Sequence, residues 1–299
     1  MKKIASIDIG SNTLRLLIVK KTAQGFQPIY RDREIVRLGR GFLPERRLLP
    51  QPMDKALEVL KRFRERAEAE GVTQIRAAGT GVLRRADNGE VFLKKIKKET
   101  GLTIEILSGL EEAEIMAKGV LSQFANLSGE TVIFDLGGGS TEFVFLNQGQ
   151  IMERLSLSLG VVGLTEQFLK IDPPGEKDLE SLRKHCRIIL KKILSKNGKI
   201  KNLIGTAGTV TTLAAMVKKI SDYDPDLING TVLFRNRLKQ LSAEILSLPL
   251  PQRQKLPGLE PGRADIIGAG ILLVLEIMAY FSQDTLLVSD AGLLEGLIL

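Results

Sequence analysis

The chain carries the stretch Asp8-Ile9-Gly10-Ser11-Asn12-Thr13-Leu14-Arg15 near its N-terminus and a similar stretch, Asp135-Leu136-Gly137-Gly138-Gly139-Ser140-Thr141-Glu142, near its middle. Each stretch begins where a short apolar segment ends and runs into a second apolar segment. Glycine adopts the backbone conformations that tight turns require. The pattern therefore predicts two strands joined by a tight turn, and predicts that unit twice.

A second pair of motifs follows the first pair in register. Gly79-Thr80 and Gly205-Thr206 each close a later short strand. The first motifs are 127 residues apart and the second are 126 residues apart, which indicates an internal repeat. We place the boundary in the polar segment Asn126–Glu130, so the predicted domains are residues 1–127 and 128–299. Each is expected to carry a loop after its first strand and after its fourth strand.

Hydrophobic periodicity predicts strands and helices in both halves, which is typical of an α/β fold. The predicted strands are Lys3–Asp8, Leu14–Lys20, Phe26–Arg31, Gln74–Ala78, Leu102–Leu107, Thr131–Asp135, Glu142–Leu146, Gln150–Leu157, Lys201–Ile204 and Asp284–Ser289. The predicted helices are Asp54–Glu70, Val91–Glu99, one that ends at Phe124, Asp178–Ser195, Leu238–Leu246, Arg263–Phe281 and one after Gly292.

The two glycine-rich turns are candidate phosphate-binding loops. Backbone N–H groups converge on an anion in such turns, and Ser11, Thr13, Ser140 and Thr141 add hydroxyl donors. Neither turn has the spacing of a Walker A loop or a dinucleotide fingerprint. One such turn is more often a plain hairpin, but two in register, each led by an aspartate, favour a phosphate site.

Asp8 and Asp135 are the acidic side chains nearest to the turns. A carboxylate repels phosphate unless a cation lies between them, and Mg²⁺ takes one or two carboxylates together with phosphate oxygens and water. Glu142 would join Asp135 directly or through water. The alternative for either aspartate is a turn-capping role.

Arg15 and Arg84 are candidate clamps for phosphate oxygens, because a guanidinium binds two of them at once. The alternative for both arginines is an exposed position on the surface. That alternative is stronger for Arg84, which has Arg85 beside it.

Glu111 and Glu112 lie at the start of a predicted helix. Ser108 precedes Glu111 by three residues, which is a capping-box signature. A carboxylate at a helix N-terminus is ordinarily stabilised there. It also suits a general base that orients water for attack on a terminal phosphoryl group. Spacing alone does not separate these two roles.

The net charge of +8 predicts attraction to a polyanion. The Lys/Arg clusters are Arg31–Arg40, Lys61–Arg66, Lys94–Lys98 and Lys191–Lys201, and solvated helix faces are an equal alternative for each. Nucleic acid is not expected as a partner, because the chain has no Trp, three Tyr and no interleaved aromatic and basic residues.

The chain has one cysteine and one histidine, and these low numbers exclude two kinds of site. The lone Cys186 excludes a disulfide framework and the lone His185 excludes a His-rich metal site. A reducing cytoplasm is the expected compartment. The longest apolar stretch, Ile266–Ile277, is too short to cross a bilayer, so no membrane partner is expected.

Seven motifs together resemble the exopolyphosphatase/guanosine pentaphosphate phosphohydrolase family, in the family's order and over nearly the whole chain. They are Asp8–Leu16, Gly79–Arg84, Ile106–Ala113, Phe134–Glu142, Gly205–Thr209, Pro257–Leu259 with Arg263–Asp265, and Ser289–Gly296. The resemblance implies two actin-like (ribonuclease H-like) domains with an interdomain cleft. It also implies Mg²⁺-dependent release of terminal phosphate from inorganic polyphosphate, or of the 5′ γ-phosphate from guanosine pentaphosphate.

The resemblance also assigns roles to individual residues. Glu112 falls on the family's proposed catalytic base, and Asp135 and Glu142 fall on its metal and phosphate-site acids, with Asp8 as a further metal candidate. The positions that fall on phosphate loops or substrate contacts are Gly10, Ser11, Asn12, Thr13, Arg15, Arg84, Gly137, Gly138, Gly139, Ser140, Thr141, Gly208 and Thr209. A monovalent cation beside Mg²⁺ and a homodimer are further expectations.

Three features depart from the family pattern. Leu294 stands where many members carry Arg, and Gly81 replaces a more usual Ser or Ala. The chain ends at Leu299, whereas longer members add a C-terminal helical region. We therefore expect a short-form enzyme that is less suited to long polymers.

Two other functions stay open from the sequence. A nucleotide-dependent kinase or ATPase of the same superfamily would use the same two loops, although no acceptor-binding insertion is evident in the first half. A non-catalytic sensor of guanosine tetra- or pentaphosphate is the other alternative, and the retention of Glu112, Asp135 and Glu142 argues against it.

Overall fold

The computed structural model describes residues 2–23, 25–124, 127–193 and 200–299, and all elements below lie there. The strands are β1 (Lys3–Ile9), β2 (Thr13–Thr22), β3 (Gly25–Ile35), β4 (Gln74–Gly79), β5 (Ile104–Ile106), β6 (Glu130–Leu136), β7 (Thr141–Asn147), β8 (Gln150–Leu157), β9 (Asn202–Thr206), β10 (Val232–Phe234) and β11 (Thr285–Val288). The helices are α1 (Pro50–Ala69), α2 (Gly81–Arg85), α3 (Gly89–Thr100), α4 (Gly109–Leu121), α5 (Val161–Phe168), α6 (Glu176–Leu190), α7 (Ala207–Lys218), α8 (Pro225–Ile228), α9 (Arg235–Ser247), α10 (Leu250–Arg253), α11 (Ile267–Tyr280) and α12 (Leu293–Ile298), with a 3-10 turn at Pro261–Arg263.

The chain divides into two compact units. Unit 1 runs to Gly119 and also contains Leu293–Leu299, and unit 2 runs from Val120 to Gly292. The final helix α12 thus belongs to the same unit as the start of the chain. A single boundary in the sequence cannot describe this arrangement.

Unit 1 is built on a mixed sheet with the strand order β3-β2-β1-β4-β5 in the described residues. The pairs β1–β2 and β2–β3 are antiparallel, whereas β1–β4 and β4–β5 are parallel. The central strand β1 is buried from Ile4 to Ile9, which explains its nearly continuous apolar sequence.

Unit 2 repeats this topology. Its strand order is β8-β7-β6-β9-β11-β10, in which β6–β7 and β7–β8 are antiparallel and β6–β9 and β9–β11 are parallel. The extra strand β10 lies antiparallel at the edge. The first two strands and the fourth strand of each unit are the ones that carry the repeated motifs, so the predicted duplication and the predicted pair of actin-like α/β domains are confirmed.

Two helices at the repeated Gly-Thr motifs were not predicted. Helix α2 is only five residues long, and α7 is buried along most of its length. A helix that is buried on several faces lacks the single apolar stripe, with its period of 3.6 residues, by which helices are recognised. In addition, the threonines of α7 have a low helix propensity. Burial of the apolar residues of α7 overrides that preference.

Most predicted helices have bounds that differ by a few residues in the structure, and α11 and α6 are two examples. Helix α11 begins at Ile267 and not at Arg263, because Pro261–Arg263 forms a 3-10 turn first. Helix α6 ends at Leu190, and the end of the predicted helix at Leu194 and Ser195 lies outside the described residues.

Helix α12 explains Leu294, the position where the family often has Arg. Leu294 and Ile298 are buried in an apolar cluster with Ile4, Leu17 and Val19 of the unit 1 sheet. A Cβ on Gly296 would lie only 1.8 Å from the carbonyl oxygen of Ile115, so α12 approaches α4 as closely as glycine allows. Leu294 therefore serves helix packing.

In the described part of the chain, no helix combines the length and the apolar character that a bilayer span requires.

Candidate active site

The first turn of unit 1 is closed by its backbone and anchored by an ion pair. The N–H of Gly10 donates to the carbonyl of Thr13 across 3.2 Å. Asp8 and Arg15 are directly opposite in the β1–β2 register, and Arg15 donates from Nε and Nη2 to Asp8 Oδ2 at 3.0 and 2.7 Å. The two strands therefore hold this carboxylate and guanidinium together.

One oxygen of that carboxylate is unsatisfied. Asp8 is 4% exposed, and its Oδ1 has no hydrogen-bond partner among the described residues. A buried carboxylate oxygen without a partner is costly, which marks it as a place for a water molecule or a cation.

A second segment of unit 1 covers the turn. The carbonyl of Asn12 accepts from the N–H groups of Val36 and Arg37, and the carbonyl of Ser11 accepts from the N–H of Gly39 at 2.7 Å. Ser11, Asn12 and Thr13 are all buried. The carbonyls of the turn are thus directed into the protein.

Glu112 is held by Arg84. Glu112 is 8% exposed, and Arg84 Nη1 lies 3.2 Å from its Oε2 and donates to the carbonyl of Leu107 at 2.6 Å. The Arg84 side chain is 24% exposed, so the alternative of a surface position does not describe it. Arg85 lies apart from this pair, with its Nε on the carbonyl of Gly81.

The structure separates the two adjacent glutamates that the sequence left equivalent. Glu111 Oε2 accepts from the N–H of Ser108 at 2.7 Å, and Ser108 Oγ accepts from the N–H of Glu111, which confirms the predicted capping box. The hydrogen bonds from Ser108 lower the pKa of Glu111. Glu111 is therefore an ionised helix cap, and Glu112 is the carboxylate turned away from solvent.

The first turn of unit 2 has the same backbone and a different pair of side chains. The N–H of Gly137 donates to the carbonyl of Ser140 at 3.0 Å, as Gly10 does to Thr13. Here Asp135 is directly opposite Glu142, and both are buried. Glu142 Oε1 also accepts from Ser156 Oγ at 2.7 Å. Two carboxylates thus occupy the positions that Asp8 and Arg15 occupy in unit 1.

The three glycines of this turn are braced from behind by the start of α5. The N–H groups of Val161 and Val162 donate to the carbonyls of Gly137 and Gly138. A Cβ on Gly160 would lie 2.4 Å from the carbonyl carbon of Gly139, so only glycine fits there. With two carbonyls fixed toward α5, the turn is rigid.

The second loop of unit 2 opens helix α7. Thr206 is its N-cap, but the Thr206 hydroxyl donates to the carbonyl of Ala291 and does not cap the helix. The first N–H groups of a helix attract anions, and Gly208 and Thr209 lie in that first turn. Ala207 has a left-handed backbone (φ 73°), which corresponds to Gly81 (φ 40°) in unit 1.

Arg263 lies against this loop. A Cβ on Gly208 would be 2.3 Å from Arg263 Nη1, so the guanidinium packs directly on the Gly208 backbone, and its Nε donates to Glu260. Arg263 is 6% exposed. The Arg-Ala-Asp motif in the sequence signals this position, but no local pattern shows that it lies against a loop some fifty residues earlier in the chain.

The structure thus places the predicted residues in two groups, one in each unit. Unit 1 brings together Asp8, Gly10, Ser11, Asn12, Thr13 and Arg15, with Arg84 and Glu112 as a separate ion pair. Unit 2 brings together Asp135, Gly137, Gly138, Gly139, Ser140, Thr141 and Glu142, with Gly208 and Thr209 after the neighbouring strand. Sequence reasoning assigned no individual role to Gly160, Ser156, Ala207 or Arg263.

The residues fit a magnesium ion in unit 2 better than in unit 1. Within the described residues, no group of three or more His, Cys, Asp or Glu could hold a metal by itself. Mg²⁺ keeps several waters and needs only one or two carboxylates beside phosphate oxygens, which the Asp135–Glu142 pair supplies. Asp8 offers only Oδ1, because its other oxygen accepts from Arg15.

Comparisons with known proteins agree on one family. The model of the Ppx/GppA phosphatase family matches residues 17–299. The chain is 30% identical to exopolyphosphatase 2 of Mycobacterium tuberculosis, over all of this chain and 98% of that protein. It is 34% identical to a bifunctional 3-dehydroquinate synthase/phosphatase of Fusobacterium nucleatum, over 99% of this chain but only 46% of that protein, so it spans about half of this relative.

A solved structure shares the fold. The crystal structure of the Aquifex aeolicus member of the Ppx/GppA protein family superposes with a TM-score of 0.84 at 33% identity, over 99% of this chain and 96% of that one.

Proposed function

We propose that this chain, which belongs to the Ppx/GppA phosphatase family, is a hydrolase that removes the terminal phosphate of inorganic polyphosphate, the 5′ γ-phosphate of guanosine pentaphosphate, or both. Membership establishes the phosphatase class. The choice of substrate is the proposal, and a full-length relative that is an exopolyphosphatase supports it.

The observation that carries the proposal is the Arg84–Glu112 pair. A general base must be held in place, and it must not be consumed by a structural role. Glu111 takes the capping role, whereas Glu112 is buried and oriented by Arg84. Glu112 can therefore orient water. Its partner Arg84 supplies a guanidinium that can bind a phosphate oxygen.

The loops of unit 2 support the binding part of the proposal. The turn at Gly137–Thr141 is rigid, and the start of α7 offers N–H groups that its N-cap side chain leaves open. Such donors stabilise charge on a phosphoryl group without reorganising during the reaction. Asp135 and Glu142 would hold Mg²⁺, which when bound neutralises charge on the transferred phosphoryl group.

The test is the pair of variants Glu112→Gln and Glu111→Gln, assayed for phosphate release from long-chain polyphosphate, tripolyphosphate, guanosine pentaphosphate and ATP. We expect Glu112→Gln to lower kcat by about 10²- to 10⁴-fold, the usual contribution of a general base. Glu111→Gln is the matched control. It should keep the capping hydrogen bonds of α4, because glutamine also suits this position of a capping box, and it should leave kcat within a few-fold.

Three results would contradict the proposal. Unchanged turnover in Glu112→Gln removes the assigned base. Consumption of ATP alone, with transfer of its terminal phosphoryl group to an acceptor, would indicate a kinase of the same fold. Tight binding without any release would indicate a sensor.

A further inference from the structure

Unit 1 contains an arginine-rich segment, residues 36–48, that the proposed chemistry does not use. Its sequence alternates apolar residues with the arginines Arg37, Arg40, Arg46 and Arg47, and its one acidic residue is Glu45. We call it the arginine loop. Its apolar residues Val36, Leu38, Phe42 and Leu48 are buried in the core of unit 1. The arginines therefore lie on a loop whose backbone is anchored to the core by these apolar side chains.

Both ends of the arginine loop are tied to elements of the candidate site. At its start, three backbone hydrogen bonds join residues 36–39 to the carbonyls of Ser11 and Asn12. At its end, Arg46 Nη2 donates to the carbonyl of Arg85, and the carbonyl of Arg46 accepts from the N–H of Asp87. The loop thus bridges the first turn and the helix that carries Arg84.

The backbone of the loop is held in an unusual conformation. Arg37 (φ 58°) and Arg46 (φ 53°) both have left-handed backbones, which residues other than glycine adopt infrequently. Such conformations persist only where the surroundings impose them, and they are frequent at ligand sites.

The charges of the loop differ from those of the nearby helices. The cations Lys61, Arg64, Arg66 and Lys95 of α1 and α3 each lie within 3 Å of a carboxylate oxygen. The predicted clusters on these helices therefore include solvated ion pairs, which contribute little to an external field. By contrast, Arg40 and Arg47 are exposed and form no ion pair with any residue that the structure describes.

We propose that the arginine loop is a second anion-binding element, which takes the phosphates of a polyphosphate chain beyond the terminal ones. The proposal rests on the proposed function for the identity of the substrate. A rigid loop lowers the entropy that is lost on binding, and repeating phosphates match exposed guanidinium groups. Long polyphosphate would therefore bind more tightly than tripolyphosphate, because only the longer chain reaches the arginine loop as well as the catalytic residues.

The test is the double variant Arg40→Gln/Arg47→Gln against the control Arg64→Gln/Lys95→Gln, which removes the same charge from paired positions of unit 1. Binding of fluorescently labelled long-chain polyphosphate is measured by anisotropy in EDTA, with unlabelled tripolyphosphate as a competitor. We expect the loop variant to bind the long chain about five- to tenfold more weakly. Its slope of log affinity against log salt should fall by about 1.4, since each contact with a single-stranded polyanion contributes about 0.7.

The control should bind within twofold of the wild type, and the loop variant should lose much less affinity for tripolyphosphate. Equal losses in both variants, equal losses for both substrates, or a wild-type chain that does not bind long polyphosphate would overturn the inference. Phosphate release by the wild type is measured in parallel. If the arginine loop contributes to binding but the wild type releases no phosphate, only the proposed function is contradicted. If the wild type releases phosphate and the loop variant binds long polyphosphate as tightly as the wild type, only the proposal for the arginine loop is contradicted.

Discussion

The first turns of the two units share one backbone and carry different side-chain pairs. In both, an aspartate is the last residue but one of the first strand, and a glycine two residues later donates across the turn. The residue seven positions after the aspartate lies opposite it. That residue is Arg15 in unit 1 and Glu142 in unit 2. The fold therefore dictates that the two side chains meet, but not whether they attract or repel.

This difference indicates separate tasks for the two turns. Asp8 has a cation supplied by the chain itself, since Arg15 donates two hydrogen bonds to it. Asp135 and Glu142 place two carboxylates directly opposite each other, where like charges are unfavourable. A divalent cation converts that arrangement into an attractive one. The repeated unit thus contains one turn that fits the proposed metal and one that is closed by an ion pair.

The largest expected effect concerns the carboxylate pair. In Glu142→Gln we expect phosphate release to fall about 10²-fold, because the proposed magnesium site would lose one of its two carboxylates. That loss corresponds to about 2.7 kcal/mol in the activation barrier. We also expect saturating Mg²⁺ to raise the Tm of the wild type, and this rise should shrink in the variant. Arg15→Gln is the control and should keep that rise. A full Mg²⁺ response in Glu142→Gln would place the metal elsewhere.

A smaller effect is expected from the ion pair. Arg15→Gln leaves the buried Asp8 without its cation, and breaking a buried pair on one side destabilises a fold. Because the Arg15 side chain is partly exposed (26%), we expect a loss of about 2 kcal/mol in the free energy of unfolding, measured by urea denaturation. The double variant Asp8→Asn/Arg15→Gln should recover part of the loss. No loss in Arg15→Gln would mean that the pair is not structural.

The smallest effects are expected at the second loops, where Gly81 and Ala207 share a left-handed backbone. Ala207→Gly should stabilise the chain by less than about 1 kcal/mol, because glycine adopts this conformation without a steric penalty. Gly81→Ala should cost about 1 kcal/mol or more, since its Cβ would also lie 3.0 Å from Ser11 Oγ. Thermal denaturation of both variants measures the contrast. Shifts of the same sign would show that the two loops are not equivalent.

Much of the candidate site could be predicted because its residues lie in short motifs. Turns such as Gly137–Thr141 depend on neighbours within a few positions, and the capping box of Ser108 and Glu111 depends on a spacing of three. Glu112 could not be separated from Glu111 in this way. Its role depends on Arg84, which lies 28 residues earlier and reaches it only in the folded chain.

Other features could not be read from local patterns. Helix α7 has no clean apolar stripe because it is buried along most of its length, so its periodicity is hidden. Arg263 reaches Gly208 through packing between elements distant in sequence. The pairing of cations such as Lys61 with Glu99 likewise depends on how α1 and α3 lie against each other.

The sequence by itself determined the duplication, the α/β class and the position of the glycine-rich loops, because strand periodicity, glycine turns and repeat spacing are local properties. The tertiary structure decided which charges are neutralised. In the folded chain Asp8 pairs with Arg15, and Glu112 pairs with Arg84. Asp135 lies opposite Glu142. Arg40 and Arg47 are exposed and form no ion pair with any described residue. The interaction energy of two charges falls with distance and rises with burial, and only the folded chain sets those two quantities.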